Sequence, residues 1–250
     1  ENNRVISEKS EIAELMNQHF IKITESAGVV SEKQYGENFV NHPSIIAIQQ
    51  HNNNTSFEFQ HTNEVQIEKL LLEINCRKSC GYDNMMPRLV KESAAVIAKP
   101  IASIVNSSIE QGVYPGAWKK GQITPLFKKD DEFSKANYRP VTVLAVLNNV
   151  YERLLAVQMG DFYNAILSDF ISSYRKLYSC ETALLRLTED WRSMRDRGEL
   201  VAVMSMDLSK AFDVIQHNLL LAKLEAYGVG EKSCTLLRNY LSGRQQRVKI

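Results

Sequence analysis

A chain of 250 residues, 44% hydrophobic and 24% charged, is long enough to bury one large core or two small ones, and no apolar run in it is long enough to span a bilayer. Membrane insertion is set aside on that ground. The opening stretch ENNRVISEKSE lacks the apolar core of a secretory signal, which points to an intracellular protein. The net charge of +1 hides an uneven distribution: Lys119 to Arg139 hold six cations against three acids, and Arg238 to Ile250 hold four cations and no acid. Such stretches suit a nucleic-acid partner, although charge runs are more often solvated faces.

In chain order, Ile12, Leu15, Met16, Phe20 and Ile23 recur at helical spacing over residues 8 to 27. From Gly28 to Gln60 the periodicity fades, and QQHNNNTS reads as a linker or exposed loop, so residues 1–60 are expected to form a helical extension and polar linker. Asn63 with Gln66 three residues on resembles a capping box, and Ile67, Leu70, Leu71 and Ile74 continue as a helix stripe ending near Cys76. A longer helical pattern runs from Leu89 to Ile109 and is expected to break or kink at Pro100. GQITPLF reads as a strand or extended arm, with Pro125 excluding a central position in a sheet. Helical spacing restarts at Leu147 and again at Leu184, where Arg197-Gly198 supplies a stop. The apolar run VAVMSM, residues 201–206, ends abruptly at Asp207 and predicts a buried strand, and helix resumes near His217. Helices first and strands late, with no regular βα alternation, predict a mixed α+β fold.

Cys76, Cys80, Cys180 and Cys234 are too few and too scattered for a disulfide framework, and reduced thiols are expected. The five histidines form no close ligand pair and read as surface residues.

Chemistry concentrates in VAVMSMDLSKAFDVIQHNLL, where a carboxylate at the end of an apolar run is followed five residues later by an aromatic. A carboxylate there could hold a hard cation such as Mg²⁺, or cap the following helix. The local pattern leaves these two readings near even.

The same string resembles the first catalytic motif of reverse transcriptases from non-LTR, LINE-type retrotransposons. That resemblance makes Asp207 a catalytic metal ligand and places Phe212 under the sugar of the incoming nucleotide. Asp213 also fits the pattern, as a metal ligand or as a helix cap. A second block, GVYPGAWKKGQITPLFKKDDEFSKANYRPVTVL, resembles the fingers of that family, and it implies that Lys128 and Arg139 contact the incoming triphosphate. The chemistry is suited: Lys brings a point charge, and Arg a planar fork for phosphate oxygens. KSCGYDNMMP resembles the segment ahead of the fingers, with Gly81, Asp83 and Pro87 matching its outline. In SYRKLYSC, Ser173 and Tyr174 replace the usual glycine and phenylalanine ahead of Arg175.

The resemblance spans roughly residues 61–250. It implies a partial right-hand polymerase fold, with fingers over 61–160 and an incomplete palm over 161–250. It also implies an RNA template, a DNA primer, deoxynucleoside triphosphates and Mg²⁺ or Mn²⁺. The family's second catalytic segment, an aromatic then any residue then Asp-Asp, does not occur in the 250 residues; Asp130-Asp131, the one Asp-Asp pair, precedes the first motif in a polar loop. The expectation is therefore a polymerase fragment that is inactive by itself. The alternative is a non-catalytic nucleic-acid-binding or degenerate retroelement-derived protein.

Overall fold

A computed structural model describes residues 5–25, 32–51, 56–208, 211–212 and 214–250, and statements of structure below concern those residues. The first helix, α1, spans Lys9–Glu25 as the periodicity predicts. The region that follows is more ordered than its sequence suggests: α2 is Glu32–Tyr35, and α3, Pro43–His51, buries Ile45 and Ile48. Nine residues are too few for a helical period to stand out. What holds α3 is tertiary, because Ile45 joins Phe39 and Ala222 in a small core of its own.

The main core is built by α4 (Glu64–Leu72), α5 (Pro87–Glu92), α6 (Ala94–Gln111), α7 (Val146–Ile166), α9 (His217–Ala226) and α10 (Glu231–Leu241). Asn63 caps α4 through its side chain, which accepts from the Gln66 N–H at 2.9 Å. The box is only half closed, since the Gln66 side chain accepts from the Thr62 hydroxyl. Helix α4 ends at Leu72, a turn earlier than its apolar stripe suggests. The expected break in the next helical pattern falls at Ser93, between α5 and α6, and Pro100 lies inside α6. A proline there leaves the carbonyl four residues earlier without its helical donor. That carbonyl belongs to Val96, on the exposed side of α6, where water can satisfy it.

Three strands form one mixed sheet in the order β2-β1-β3, with β1 Lys120–Phe127, β2 Tyr138–Leu144 and β3 Gln245–Val248. β1 is thus the central strand despite Pro125. β3 pairs only with Lys120–Ile123, so at Pro125 the strand has a single neighbour, β2. Pro125 faces Pro140 there. The Lys128 N–H donates to the Asn137 carbonyl, and counting back from that pair makes Pro125–Pro140 a non-hydrogen-bonded pair, where no donor is required.

Helix α8, Cys180–Asp196, has a complete capping box between Ser179 and Thr182 and ends at Arg197 with Gly198 at φ 77°, as the stop signal predicts. None of its residues is buried. The predicted strand over 201–206 is not present: residues 201–208 have no regular structure, and Met204 and Met206 are exposed. An apolar run becomes a strand only when a neighbour takes its N–H and C=O groups, and no described strand lies beside this one. The α+β class holds, as a mostly helical chain with a small sheet. No described helix is long and apolar enough to cross a membrane.

Candidate nucleotide and nucleic-acid interface

The two faces of the sheet differ. Ile123, Tyr138 and Val248 lie on one face and pack against Ile12, Met16 and Phe20 of α1. Alternation along the strands puts Lys120, Gln122, Thr124 and Leu126 of β1 on the other face, with Lys128 just past its end, Arg139 of β2 and Arg247 of β3. Arg139 is paired with Leu126, two residues from Lys128, so the two expected triphosphate contacts share a face and an end of the sheet. Thr124, Leu126, Lys128, Arg139 and Val141 are all exposed there. Among the described residues neither Lys128 nor Arg139 is held in an ion pair.

The start of β1 is set by buried aromatics from the block just before it. The Tyr114 ring stacks on Tyr151 of α7 at 4.9 Å with an interplanar angle of 13°, and Trp118 meets Tyr151 nearly edge-on. The Tyr114 hydroxyl donates to Asn148 Oδ1, and its main-chain N–H to Asn239 Oδ1. Burial pushes the Tyr114 phenol far above its ordinary range, with the Glu152 carboxylate adding to it, so it serves as a neutral donor. Lys119 is spent in the same network: its Nζ donates to Asn239 Oδ1 at 2.7 Å, and desolvation with the nearby Arg244 lowers its pKa.

Asp130 and Asp131 belong to the β1–β2 connection. Asp131 accepts from the Phe133 N–H, while its carbonyl accepts from Asn137, so this acidic pair serves the loop.

Residues 126–250 match the sequence pattern described as reverse transcriptase (RNA-dependent DNA polymerase). The chain belongs to the reverse transcriptase family. Its relatives are polymerases of non-LTR retrotransposons. It is 27% identical to the probable RNA-directed DNA polymerase from transposon BS of Drosophila melanogaster, over 74% of this chain and 21% of that protein. It is 25% identical to the RNA-directed DNA polymerase from mobile element jockey of the same fly, over 63% of this chain and 18% of that one. A retrovirus-related Pol polyprotein from type-1 retrotransposable element R2 of Popillia japonica is 23% identical over 59% of this chain and 20% of its own length. The chain thus spans about a fifth of the length of the curated relatives it matches.

The segment expected to form the first catalytic motif is less regular than the sheet face. Asp207 is exposed at the end of the irregular 201–208 stretch, and Phe212 is exposed with its ring edge-to-face against Tyr174 at 6.2 Å. Asp213 lies outside the described residues. No group of three or more His, Cys, Asp or Glu side chains among the described residues is placed to hold a metal ion, and Asp207 is the expected ligand they include.

Arg175 has a structural assignment. Its Nη1 donates to the carbonyls of Ser168 and Ile171, Nε to Asn164 Oδ1, and the guanidinium lies 4.2 Å from the centre of the Tyr178 ring. It ties together the turn between α7 and α8. The local sequence pattern does not single out Tyr82 and Arg247, which meet on the sheet face, and it marks Gly81 only as part of a motif outline. A Cβ at Gly81 would lie 2.6 Å from the backbone of Leu144 and Ala145, so glycine is required by close approach. The signal for Arg247 was present as tail basicity, but nothing local tied that tail to residue 82.

Proposed function

We propose that this chain supplies the nucleotide-binding face and the first catalytic carboxylate of an RNA-directed DNA polymerase, which copies an RNA template onto a DNA primer from deoxynucleoside triphosphates. The observation that supports it is that Lys128 and Arg139 share one exposed end of a sheet face whose other side packs against α1 through Ile123, Tyr138 and Val248. A triphosphate is met there by one point charge and one fork, neither neutralised by a neighbouring acid. Phe212 limits the sugar to deoxyribose in this reading. Asp207 would hold one ion of a Mg²⁺ pair, and the remaining carboxylates would come from an aromatic-x-Asp-Asp segment that the 250 residues do not contain. Residues 201–208 take strand form when the strands of such a segment pair beside them.

Primer extension tests this. The 250-residue chain with Mg²⁺, RNA template, DNA primer and all four deoxynucleotides is expected to extend nothing. Joined to an aromatic-x-Asp-Asp segment, the same sequence is expected to extend the primer. Asp207→Asn then abolishes extension with folding unchanged, and Arg139→Ala raises the nucleotide KM or lowers kcat while template affinity holds. Extension that survives Asp207→Asn would remove Asp207 from the reaction. An equal loss of template binding in Arg139→Ala would move that residue to the backbone groove.

A further inference from the structure

Tyr82 sits against the sheet because Gly81 lets its segment press onto the Leu144–Ala145 backbone. Its ring is 39% exposed and gathers two cations: the Arg247 guanidinium carbon lies 4.2 Å from the ring centre and Lys120 Nζ 5.2 Å from it. These cations come from different strands and stand on the face turned away from α1. Arg247 is further oriented by a 2.9 Å bond from Nη2 to Gln122 Oε1. Its five N–H donors are therefore presented in a defined plane with one committed. Among the described residues neither cation is in an ion pair. Two like charges drawn to one half-exposed ring with no acid between them form a place for an anion.

We infer that Lys120 and Arg247, positioned by Tyr82, form a second phosphate subsite that holds the backbone of a nucleic-acid strand. The inference rests on the polymerase reading above. Arg247 is in register with Gln122, and Arg139 with Leu126, four residues farther along β1. At about 3.3 Å per residue the two cation groups are ~13 Å apart along the strand. A single triphosphate held at Lys128 and Arg139 does not bridge that gap. A strand with a phosphate at every nucleotide is held at the Lys120–Arg247 end, which leaves Lys128 and Arg139 to the triphosphate.

The test is binding of labelled oligouridine RNA and of the matching DNA strand to the 250-residue chain over a salt series. Each lost phosphate contact shallows the dependence of log K on log salt by about 0.7 for a single strand. Lys120→Gln and Arg247→Gln are each expected to weaken binding of both strands and to shallow the slope by that amount. Arg247→Lys keeps the charge and loses the fork, so the slope stays and affinity falls. Tyr82→Leu weakens binding at temperatures where the variant is folded, and Tyr82→Phe restores it, because the ring and not the hydroxyl orients the cations. Unchanged slopes in folded Lys120→Gln and Arg247→Gln, with strand binding still present in the parent, would overturn the subsite and leave the polymerase reading standing. An effect confined to RNA with an unchanged slope would place a 2′-hydroxyl there and overturn it too. No binding of either strand by the parent chain would overturn the underlying reading itself.

Discussion

The helical core and the stretch between α7 and α9 use similar apolar residues with opposite results. Ile67 and Leu71 of α4, Tyr151 of α7 and Leu236 of α10 are fully buried against one another's helices. Between Met159 and Leu221 no described residue is buried, although α8 carries Leu184, Leu185, Leu187 and Met194 and has well-formed signals at both ends. Caps and periodicity suffice to define a helix, but most helical stability comes from packing of the apolar face, which α8 lacks among the described residues. The expected nucleotide contacts Lys128 and Arg139 stand on a sheet braced by α1, while Asp207 and Phe212 fall in the stretch with no core.

The sharpest way to break this contrast is a pair of truncations. Leu71→Ala is expected to cost ~2–5 kcal/mol in chemical denaturation, because it leaves a cavity in a closed core. Leu187→Ala, at a position that is 47% exposed, is expected to stay within about 0.5 kcal/mol. A loss at Leu187 as large as that at Leu71 would mean that α8 is covered in solution, for instance by a second copy of the chain.

A smaller effect compares two glycines. Gly81→Ala must displace the Leu144–Ala145 backbone and is expected to cost ~1–3 kcal/mol, whereas Gly116→Ala meets nothing within 4 Å and is expected to be close to neutral. Equal melting temperatures for the two variants would show that the 80–82 segment is not pressed on the sheet.

The smallest effect near neutrality is one of pH. Burial pushes the Cys234 thiol from its ordinary 9.0 up to about 12, helped by Glu225 and Glu58, and burial pushes the Tyr151 phenol from 10.0 to about 12. The folded chain keeps these protons after the unfolded chain has lost them. Stability is therefore unaffected by these groups below pH 9 and falls as pH rises from 9 toward 12. Cys234→Ala is expected to delay the onset by about one pH unit, as the tyrosine then titrates first in the unfolded chain. An onset unmoved by that substitution would show that Cys234 is accessible to water in the fold.

Much of the helical layout is legible in the amino-acid sequence. The stripe of Ile67 and Leu71, the Asn63 cap, the spacing of α7 and α8 and the Gly198 stop all act within a turn or two of the chain, and each falls close to where the local pattern puts it. The family is legible as well, in the strings around Lys128, Arg139 and Asp207. Position within the sheet is not. Pro125 argues against a central strand when read locally, yet β1 is central because β3 covers only its first four residues. The run 201–206 has the composition of a buried strand and lacks a described neighbour to make it one.

The sequence by itself thus determined where most of the long helices lie, the cap at Asn63, the stop at Gly198 and which family's chemistry the charged residues suit, because capping, periodicity and motif identity are properties of neighbouring residues. Only the tertiary structure decided that Lys128 and Arg139 share a face, that α1 packs on the opposite one, and that Tyr82 carries Lys120 and Arg247. Those relations join residues far apart in the chain, 165 positions in the case of Tyr82 and Arg247. Strand register and close approach of backbones bring such residues together, and no local pattern encodes either one.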